Sequence, residues 1–187
     1  MKGLRYMQDV MRNQFYKQRS DFELSAIERD KTQVMPEGVS VQTDIPYMND
    51  GDKAHRMDVY RPEGSEDTTL PVVINIHGGG LLIGSKEFNR FFCAKLSRLG
   101  YLVFSIDYRL VPDCMVFDQF SDVCNAFKYI NAHLGEYNGD SGHIYGVADS
   151  GGAYLLTYTA AMAKNRELAK AAHVKPQKFS FRAIGLI

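Results

Sequence analysis

The sequence lacks three features that would connect it to nucleic acid, membranes or secretion. Its 22 Lys plus Arg balance 22 Asp plus Glu, so it has no basic surplus of the kind that attracts polyanions. No apolar run approaches the length of a membrane-spanning helix, and the first residues lack the apolar core of a secretory signal. We therefore expect no nucleic-acid partner, no membrane span and a cytoplasmic location.

Cysteine is scarce and lacks a binding pattern. Cys93, Cys114 and Cys124 show neither metal-ligand spacing nor a CxxC pair, and an odd number of thiols suits a reducing compartment. No cluster of His, Cys and Asp has the spacing of metal ligands. The sequence therefore predicts no metal and no cofactor.

The first 35 residues form a unit of their own. Residues 1–35 read as a helical segment, followed by a single larger domain over residues 36–187. A second helix over residues 22–29 is predicted after the capping residues Ser20 and Asp21. A solvated leader helix is one interpretation, but the cost of exposing its aromatic side chains favours a lid over a site. The predicted apolar stripe consists of Leu4, Met7, Val10, Met11 and Phe15.

The larger unit alternates strands and helices. Polar–apolar alternation at residues 39–46 and 55–60 predicts an antiparallel edge pair, and nearly continuous apolar runs predict strands buried on both faces. Such a series indicates an α/β fold with a mostly parallel sheet and right-handed crossovers. The further predicted strands are 70–76, 101–107, 143–147 and 179–187, and the helices are 91–99, 118–134 and 152–164.

Two glycine-rich turns follow predicted strands. Ser150 lies between a strand and a helix, with Ala148 two residues before it and Gly152 two after, which is the pattern of a nucleophile elbow. The run His77–Gly80 allows backbone N–H groups to turn toward an oxyanion, where each donor is worth about 2.7–4 kcal/mol. Both turns would meet at one edge of the sheet. The alternatives are a strand–helix joint with an incidental serine and a glycine-rich turn without function.

Three motifs in order carry a family resemblance. His77–Gly80 with Gly84, then residues 107–110, then residues 148–152 resemble the hormone-sensitive-lipase-like esterases of the α/β-hydrolase fold. The resemblance implies a mostly parallel central sheet flanked by helices over residues 36–187, with N-terminal cap-like helices before it. It also implies a serine hydrolase that acts on a small-molecule ester, and it leaves a homo-oligomer open.

The same resemblance implies roles for individual residues. Ser150 matches the nucleophile, and the N–H groups of Gly79, Gly80 and Gly151 match the oxyanion hole. The supporting residues are His77, Gly78 and Asp149, and the scaffold residues are Asp107, Arg109 and Asp122. The chain departs from the family at Ala148, at residues 111–113 and at residues 117–118, which leaves the shape of the acyl pocket open.

The acid and base of a catalytic triad are missing from the expected place. In this fold both follow the serine, yet after Ser150 the sequence offers no Asp, one Glu (Glu167) and one His (His173), in or just after the next helix. His55, His133 and His143 precede the serine. We therefore expect an incomplete domain, truncated after about the sixth strand within what reads as a central buried strand, and a poor catalyst by itself.

Three functions remain open at this point. The first is a carboxylesterase whose triad is completed elsewhere. The second is a non-catalytic ligand-binding relative that keeps the fold without the base. The third is an amidase or peptidase with the same elbow.

Overall fold

The computed structural model describes residues 2–175 and 180–187. Six strands form one sheet in the order β1-β2-β4-β3-β5-β6. Strands β3 to β6 run parallel, while β1 and β2 form the predicted antiparallel pair at one edge. The strands are β1 (Val39–Pro46), β2 (Arg56–Pro62), β3 (Leu70–Ile76), β4 (Leu102–Ile106), β5 (Gly139–Ala148) and β6 (Ala183–Leu186).

Helices cover both faces of the sheet, as the apolar strand runs predicted. Side chains of a strand alternate between faces, so Val72, Ile74 and Ile76 of β3 enter one core cluster and Val73 enters the other. The first cluster includes residues of α3, α4 and α5, and the second includes residues of α2. The helices are α1 (Lys2–Asp30), α2 (Arg90–Arg98), α3 (Val116–His133), α4 (Ser150–Met162) and α5 (Arg166–Ala171).

Helix α3 follows its predicted apolar stripe. Phe120, Val123, Phe127 and Ile130 recur at helical spacing, and each is at most 3% exposed. Burying such a face against the sheet stabilises the helix far more than intrinsic propensity does. Helix α4 starts at Ser150, two residues earlier than expected, and β5 starts at Gly139, four residues earlier.

The N-terminal segment is one helix, so the predicted break at Ser20 and Asp21 is wrong. The Asp21 carboxylate accepts a hydrogen bond from Lys17 Nζ at 2.7 Å, one turn back, and therefore caps no new helix. The predicted apolar stripe is also wrong as a packing face, because Met7, Val10 and Met11 are 46–60% exposed. The side chain of Leu4 lies outside the described part of the structure.

The last strand is not central among the described residues. Strand β6 pairs with β5 on one side only, and all four of its residues are exposed. Strand β6 is thus an edge strand among the described residues, and its predicted central position stays a prediction. The predicted start of the strand, Phe179, lies outside the described residues. Across residues 2–175 and 180–187, no helix combines the length and apolarity needed to cross a bilayer.

Candidate active site

Sheet register brings the two glycine-rich turns together. Strands β3 and β5 are parallel neighbours, and Ile76 pairs with Ala148 at their carboxyl ends. The chain leaves β3 for β4 on one side and returns to β5 on the other, so this edge is a topological switch point, where open α/β sheets bind ligands. The glycine loop (residues 77–84) and the elbow (residues 148–152) therefore begin side by side, as the sequence predicted.

Ser150 occupies a strained and accessible turn. Its φ of 46° is in the left-handed region, which costs a non-glycine residue about 1–3 kcal/mol. Its N–H donates to Ile187 O at 2.8 Å, which ties the turn to the end of β6. The residue is exposed, and within the described residues its Oγ has no hydrogen-bond partner. The turn thus presents the hydroxyl outward at the sheet edge.

Two glycines allow the elbow to approach its neighbours. A Cβ at Gly152 would overlap with the carbonyl oxygens of Ile76 and His77, so the start of α4 packs directly on the end of β3. A Cβ at Gly151 would lie 3.0 Å from the amide nitrogen of Leu81 and 3.1 Å from that of Gly80. The residue after Ser150 therefore lies against the amides of the glycine loop.

The glycine loop is a left-handed turn. Gly79, Gly80 and Leu81 have φ values of 112°, 60° and 69° in succession. The N–H groups of Leu82 and Ile83 both donate to Gly79 O, at 3.1 and 3.0 Å, and close the turn. Glycine tolerates these angles, whereas Leu81 is a non-glycine residue in a backbone conformation that such residues rarely adopt.

Several amides around Ser150 are free to bind an anion. In the part of the chain that the structure describes, the N–H groups of Gly79, Gly80, Leu81 and Gly151 donate to no protein acceptor. The N–H of Gly151 also belongs to the first turn of α4, where the helix dipole favours negative charge. These acceptor-free amides include the three that the sequence predicts as oxyanion donors, together with that of Leu81.

His77 is placed as a brace. Its ring stacks on Tyr108 with centroids 4.4 Å apart, and Nδ1 lies 2.8 Å from Gly78 O. Nε2 lies 3.5 Å from Asp107 Oδ1, and Tyr108 donates its hydroxyl hydrogen to His77 O at 2.8 Å. Burial raises the pKa of Tyr108, which keeps that hydroxyl a donor. These contacts hold the ring below the glycine loop.

Asp149 joins the elbow to the glycine loop. Its Oδ1 accepts hydrogen bonds from Gly78 N and from Asn89 Nδ2, both at 3.0 Å. A Cβ at Gly78 would overlap with the same carboxylate, which explains why glycine is needed there. Asn89 Nδ2 also lies 3.3 Å from Asn75 Oδ1, so a short polar chain leads from the elbow into β3.

Arg109 and Asp122 form a second brace. The guanidinium donates Nη2 to Asp122 Oδ1 at 2.7 Å and Nε to Oδ2 at 2.9 Å, and this pairing raises the pKa of Arg109. His55 Nε2 lies 3.1 Å from Asp122, and its Nδ1 lies 2.7 Å from Asp50. Asp122 is 1% exposed, so it anchors the segment after β4 to α3 from within the core.

Sequence reasoning missed two buried residues that support the loop. Lys86 is 2% exposed and contacts Asp58 at 3.0 Å and Asp44 at 3.2 Å, while its backbone N–H donates to Asp107 at 2.6 Å. Burial would lower its pKa, but hydrogen bonds from Lys86 to Glu87 and Asp58 outweigh burial and raise it. No sequence pattern marks such a lysine, because Asp44 and Asp58 come from distant segments.

Gln119 is the other missed residue, and its position on the helix could have indicated its role. It is fully buried, and its Nε2 donates to Leu81 O at 2.9 Å and to Arg109 O at 2.8 Å. Gln119 precedes Phe120 and lies one helical turn before Val123, so it falls on the apolar face of the helix. An amide on that face is expected to be buried and hydrogen-bonded.

The histidines lie elsewhere. His133 Nδ1 lies 2.8 Å from Tyr129 O, His143 Nδ1 lies 2.7 Å from Asp140, and His173 is an exposed residue just after α5. His55 and His77 are held as described above. Among the described residues, none of the five histidines is hydrogen-bonded to Ser150. No group of three or more His, Cys, Asp and Glu in that part of the chain is arranged to hold a metal ion.

Comparison with known proteins gives consistent matches. The BD-FAE family model matches residues 57–184. A probable isoprenylcysteine alpha-carbonyl methylesterase from Arabidopsis thaliana is 32% identical over 56% of this chain and 22% of its own length. The probable carboxylic ester hydrolase LipM from Mycobacterium tuberculosis is 31% identical over 61% of this chain and 28% of its own.

A solved structure extends the match to nearly the whole chain. The crystal structure of esterase B from Lactobacillus rhamnosis matches with a TM-score of 0.90 and 26% identity, over 96% of this chain and 57% of that one. The chain therefore spans about a quarter of the two curated relatives and just over half of esterase B. The α/β-hydrolase fold and the resemblance to hormone-sensitive-lipase-like esterases are confirmed.

Proposed function

The chain belongs to the BD-FAE family, and we propose that it carries the nucleophile and oxyanion hole of a carboxylic ester hydrolase. The observation that carries this proposal is the set of acceptor-free amides of Gly79, Gly80 and Gly151 beside the left-handed Ser150. The similarity to esterases supports esters as the substrate class. Small acyl esters fit a hydroxyl that is accessible at the sheet edge.

The proposed chemistry is acyl transfer through an acyl-serine. Ser150 Oγ attacks the ester carbonyl carbon while a general base takes the hydroxyl proton, and the C=O π electrons move to the oxygen, which the amide donors stabilise. Collapse of the tetrahedral intermediate breaks the bond to the alcohol oxygen, which leaves with the proton that the protonated base returns to it. Water then attacks the acyl group, releases the carboxylic acid and restores the hydroxyl.

The base is the part of the proposal that the described residues do not supply. A serine hydroxyl needs a positioned base, and the five histidines of this chain have other partners or positions. We therefore expect this 187-residue chain by itself to acylate slowly. The alternative is a ligand-binding relative that has the fold but no catalysis.

Labelling with a p-nitrophenyl phosphonate tests the proposal. We expect the label on Ser150 by peptide mapping, none at this position in Ser150→Ala, and unchanged labelling in Ser121→Ala, whose serine lies on α3 outside the site. Added imidazole should accelerate the reaction at least tenfold, since a general base contributes about 10²–10⁴-fold. Absence of label on Ser150 with imidazole present would contradict the proposal and favour the ligand-binding alternative.

The cytoplasmic location and a homo-oligomer stay predictions. All three cysteines carry free thiols, and burial raises the pKa of Cys93 and Cys124 to about 12. Unpaired, unreactive thiols support a reducing compartment. Sedimentation of the purified protein measures its oligomeric state directly.

A further inference from the structure

Arg19, near the middle of α1, reaches into the loop that carries the oxyanion donors. Its Nε donates to Leu82 O at 3.0 Å, its Nη2 donates to Val111 O at 2.9 Å, and its Nη1 pairs with Asp113 at 2.9 Å. Its side chain is 19% exposed although it starts from a surface helix. One guanidinium thus joins the glycine loop to the turn at residues 111–113.

Rigid peptide planes connect Arg19 to an oxyanion donor. The carbonyl of Leu82 shares its planar peptide unit with the N–H of Ile83, which donates to Gly79 O at 3.0 Å. The carbonyl of Gly79 in turn shares its plane with the N–H of Gly80. Fixing the orientation of Leu82 O therefore fixes the direction of the Gly80 N–H through one intervening hydrogen bond.

Gln119 completes the arrangement from the opposite side. Its Nε2 and the N–H of Val111 both donate to Leu81 O, at 2.9 and 3.0 Å. The carbonyl of Leu81 shares its peptide plane with the N–H of Leu82, which is the second donor to Gly79 O. The two hydrogen bonds to Leu81 O therefore fix the direction of the Leu82 N–H. The left-handed conformation of Leu81 is thus held at two successive carbonyls, one by the core and one by α1. Removal of either support allows the turn to relax.

We propose that Arg19 is a positioning residue for the oxyanion hole, acting on the Gly80 N–H through Leu82. The inference rests on the proposed function of the Ser150 site. It gives the N-terminal helix a part in catalysis beyond covering a cavity, because the orientation of the donors then depends on whether α1 is docked. Arg19 also lines, with Tyr108 and Asp113, an open cavity of about 450 Å³ beside the glycine loop.

Other contacts of α1 provide a control that separates docking from positioning. Phe22 stacks on Phe88 at 4.6 Å, and the guanidinium of Arg29 lies 5.3 Å from the Phe88 ring. Asp30 pairs with Arg90 at 2.8 Å. Within the described residues these contacts, with the hydrogen bond from Arg29 Nη2 to Phe88 O at 3.3 Å, reach the segment after the glycine loop and no carbonyl of the loop itself. Arg29→Ala therefore removes one docking contact of α1 while Arg19 still holds Leu82 O.

Amide hydrogen exchange tests the inference without catalysis. In Arg19→Ala we expect exchange at the amides of Leu82 and Ile83 to rise about tenfold, the effect of losing a charge-assisted hydrogen bond. Arg29→Ala should change these amides less than twofold. Arg19→Lys keeps the positive charge but lacks the several fixed N–H donors of a guanidinium, so it should recover part of the exchange protection at these amides. Equal exchange in the two alanine variants, or no change in Arg19→Ala, would overturn the inference.

Phosphonate labelling links the same contact to reactivity. Arg19→Ala should lower the maximal labelling rate of Ser150 about tenfold and leave the half-saturating concentration within twofold, since the donors act on the developing charge. A rise in the half-saturating concentration alone would overturn the positioning role. If the wild-type protein is not labelled, the proposed function fails, while the exchange result still decides whether Arg19 holds the loop.

Discussion

The elbow and the N-terminal helix hold the same glycine loop by opposite means. The elbow fixes it from inside through close backbone approach at Gly151 and Gly152, where a single added carbon would overlap or crowd the neighbouring main chain. Helix α1 holds it from outside with long side chains, of which Arg19 and Tyr16 reach the turn at residues 111–113. The inner contacts are geometric and buried, and the outer contacts are ionic and close to solvent.

The difference predicts different sensitivities. Backbone packing in a core changes little with salt or pH, whereas exposed charge pairs are screened and titrate. Partial burial would raise the pKa of Asp113, but hydrogen bonds from Tyr16 and Arg19 outweigh it and lower the pKa. Backbone packing at the elbow therefore determines whether the site forms, and the contacts of α1 determine how firmly the glycine loop is held.

The largest effect should come from crowding the backbone packing at the elbow. Gly152→Ala places a methyl group into the carbonyls at the end of β3, so we expect a loss of about 3 kcal/mol in the free energy of unfolding and no labelling of Ser150. Urea unfolding measures the first and mass spectrometry the second. Gly135→Ala is the matched control, because nothing lies within 4 Å of its added Cβ, and it should be neutral. A stable, fully labelled Gly152→Ala protein would contradict the packing account of the elbow.

A smaller effect is expected where the core side supports the loop by hydrogen bonds. Gln119→Leu removes both donors and leaves Arg109 O without this partner, which should cost about 1–2 kcal/mol in urea unfolding and slow labelling several-fold. Asn125→Leu on the same helix is the control, since among the described residues its amide hydrogen-bonds only to Met48 Sδ, at 3.4 Å. Equal losses in the two variants would show that the effect is not specific to the loop.

The smallest effect should come from titrating Asp113, which pairs with Arg19 of α1. Because the folded pKa of Asp113 is lowered, its contribution is present above about pH 4 and is lost as the pH falls through the folded value. Asp113→Asn should lower the melting temperature by about 1–3 °C at pH 7, and the difference from wild type should narrow as the pH falls below about 4. Asp21→Asn, which breaks an exposed pair with Lys17 on the same helix, should shift it by less. A gap that does not narrow as the pH falls below about 4 would exclude the ion pair as its cause.

Particular residues show how far the sequence could predict the fold and the site. The β-branched runs of β3 and β4 predicted a buried parallel sheet, because only strands covered on both faces are apolar throughout. Gly152 predicted the tight turn of the elbow, and the structure contains the close approach there and also at Gly78 and Gly79. Ser20 and Asp21 misled, because capping side chains have no effect where the helix continues and a lysine one turn back binds the carboxylate.

The sequence by itself determined the order of the strands, the positions of the tight turns and the candidate nucleophile, but it did not predict α5. These depend on local periodicity and on which residues fit a left-handed or crowded backbone. Only the tertiary structure decided that α1 is continuous, that β6 lies at an edge of the described sheet, and that Arg19 and Gln119 meet on one loop. The reason is physical: a long polar side chain finds its partner through the packing of distant segments, which local sequence does not encode.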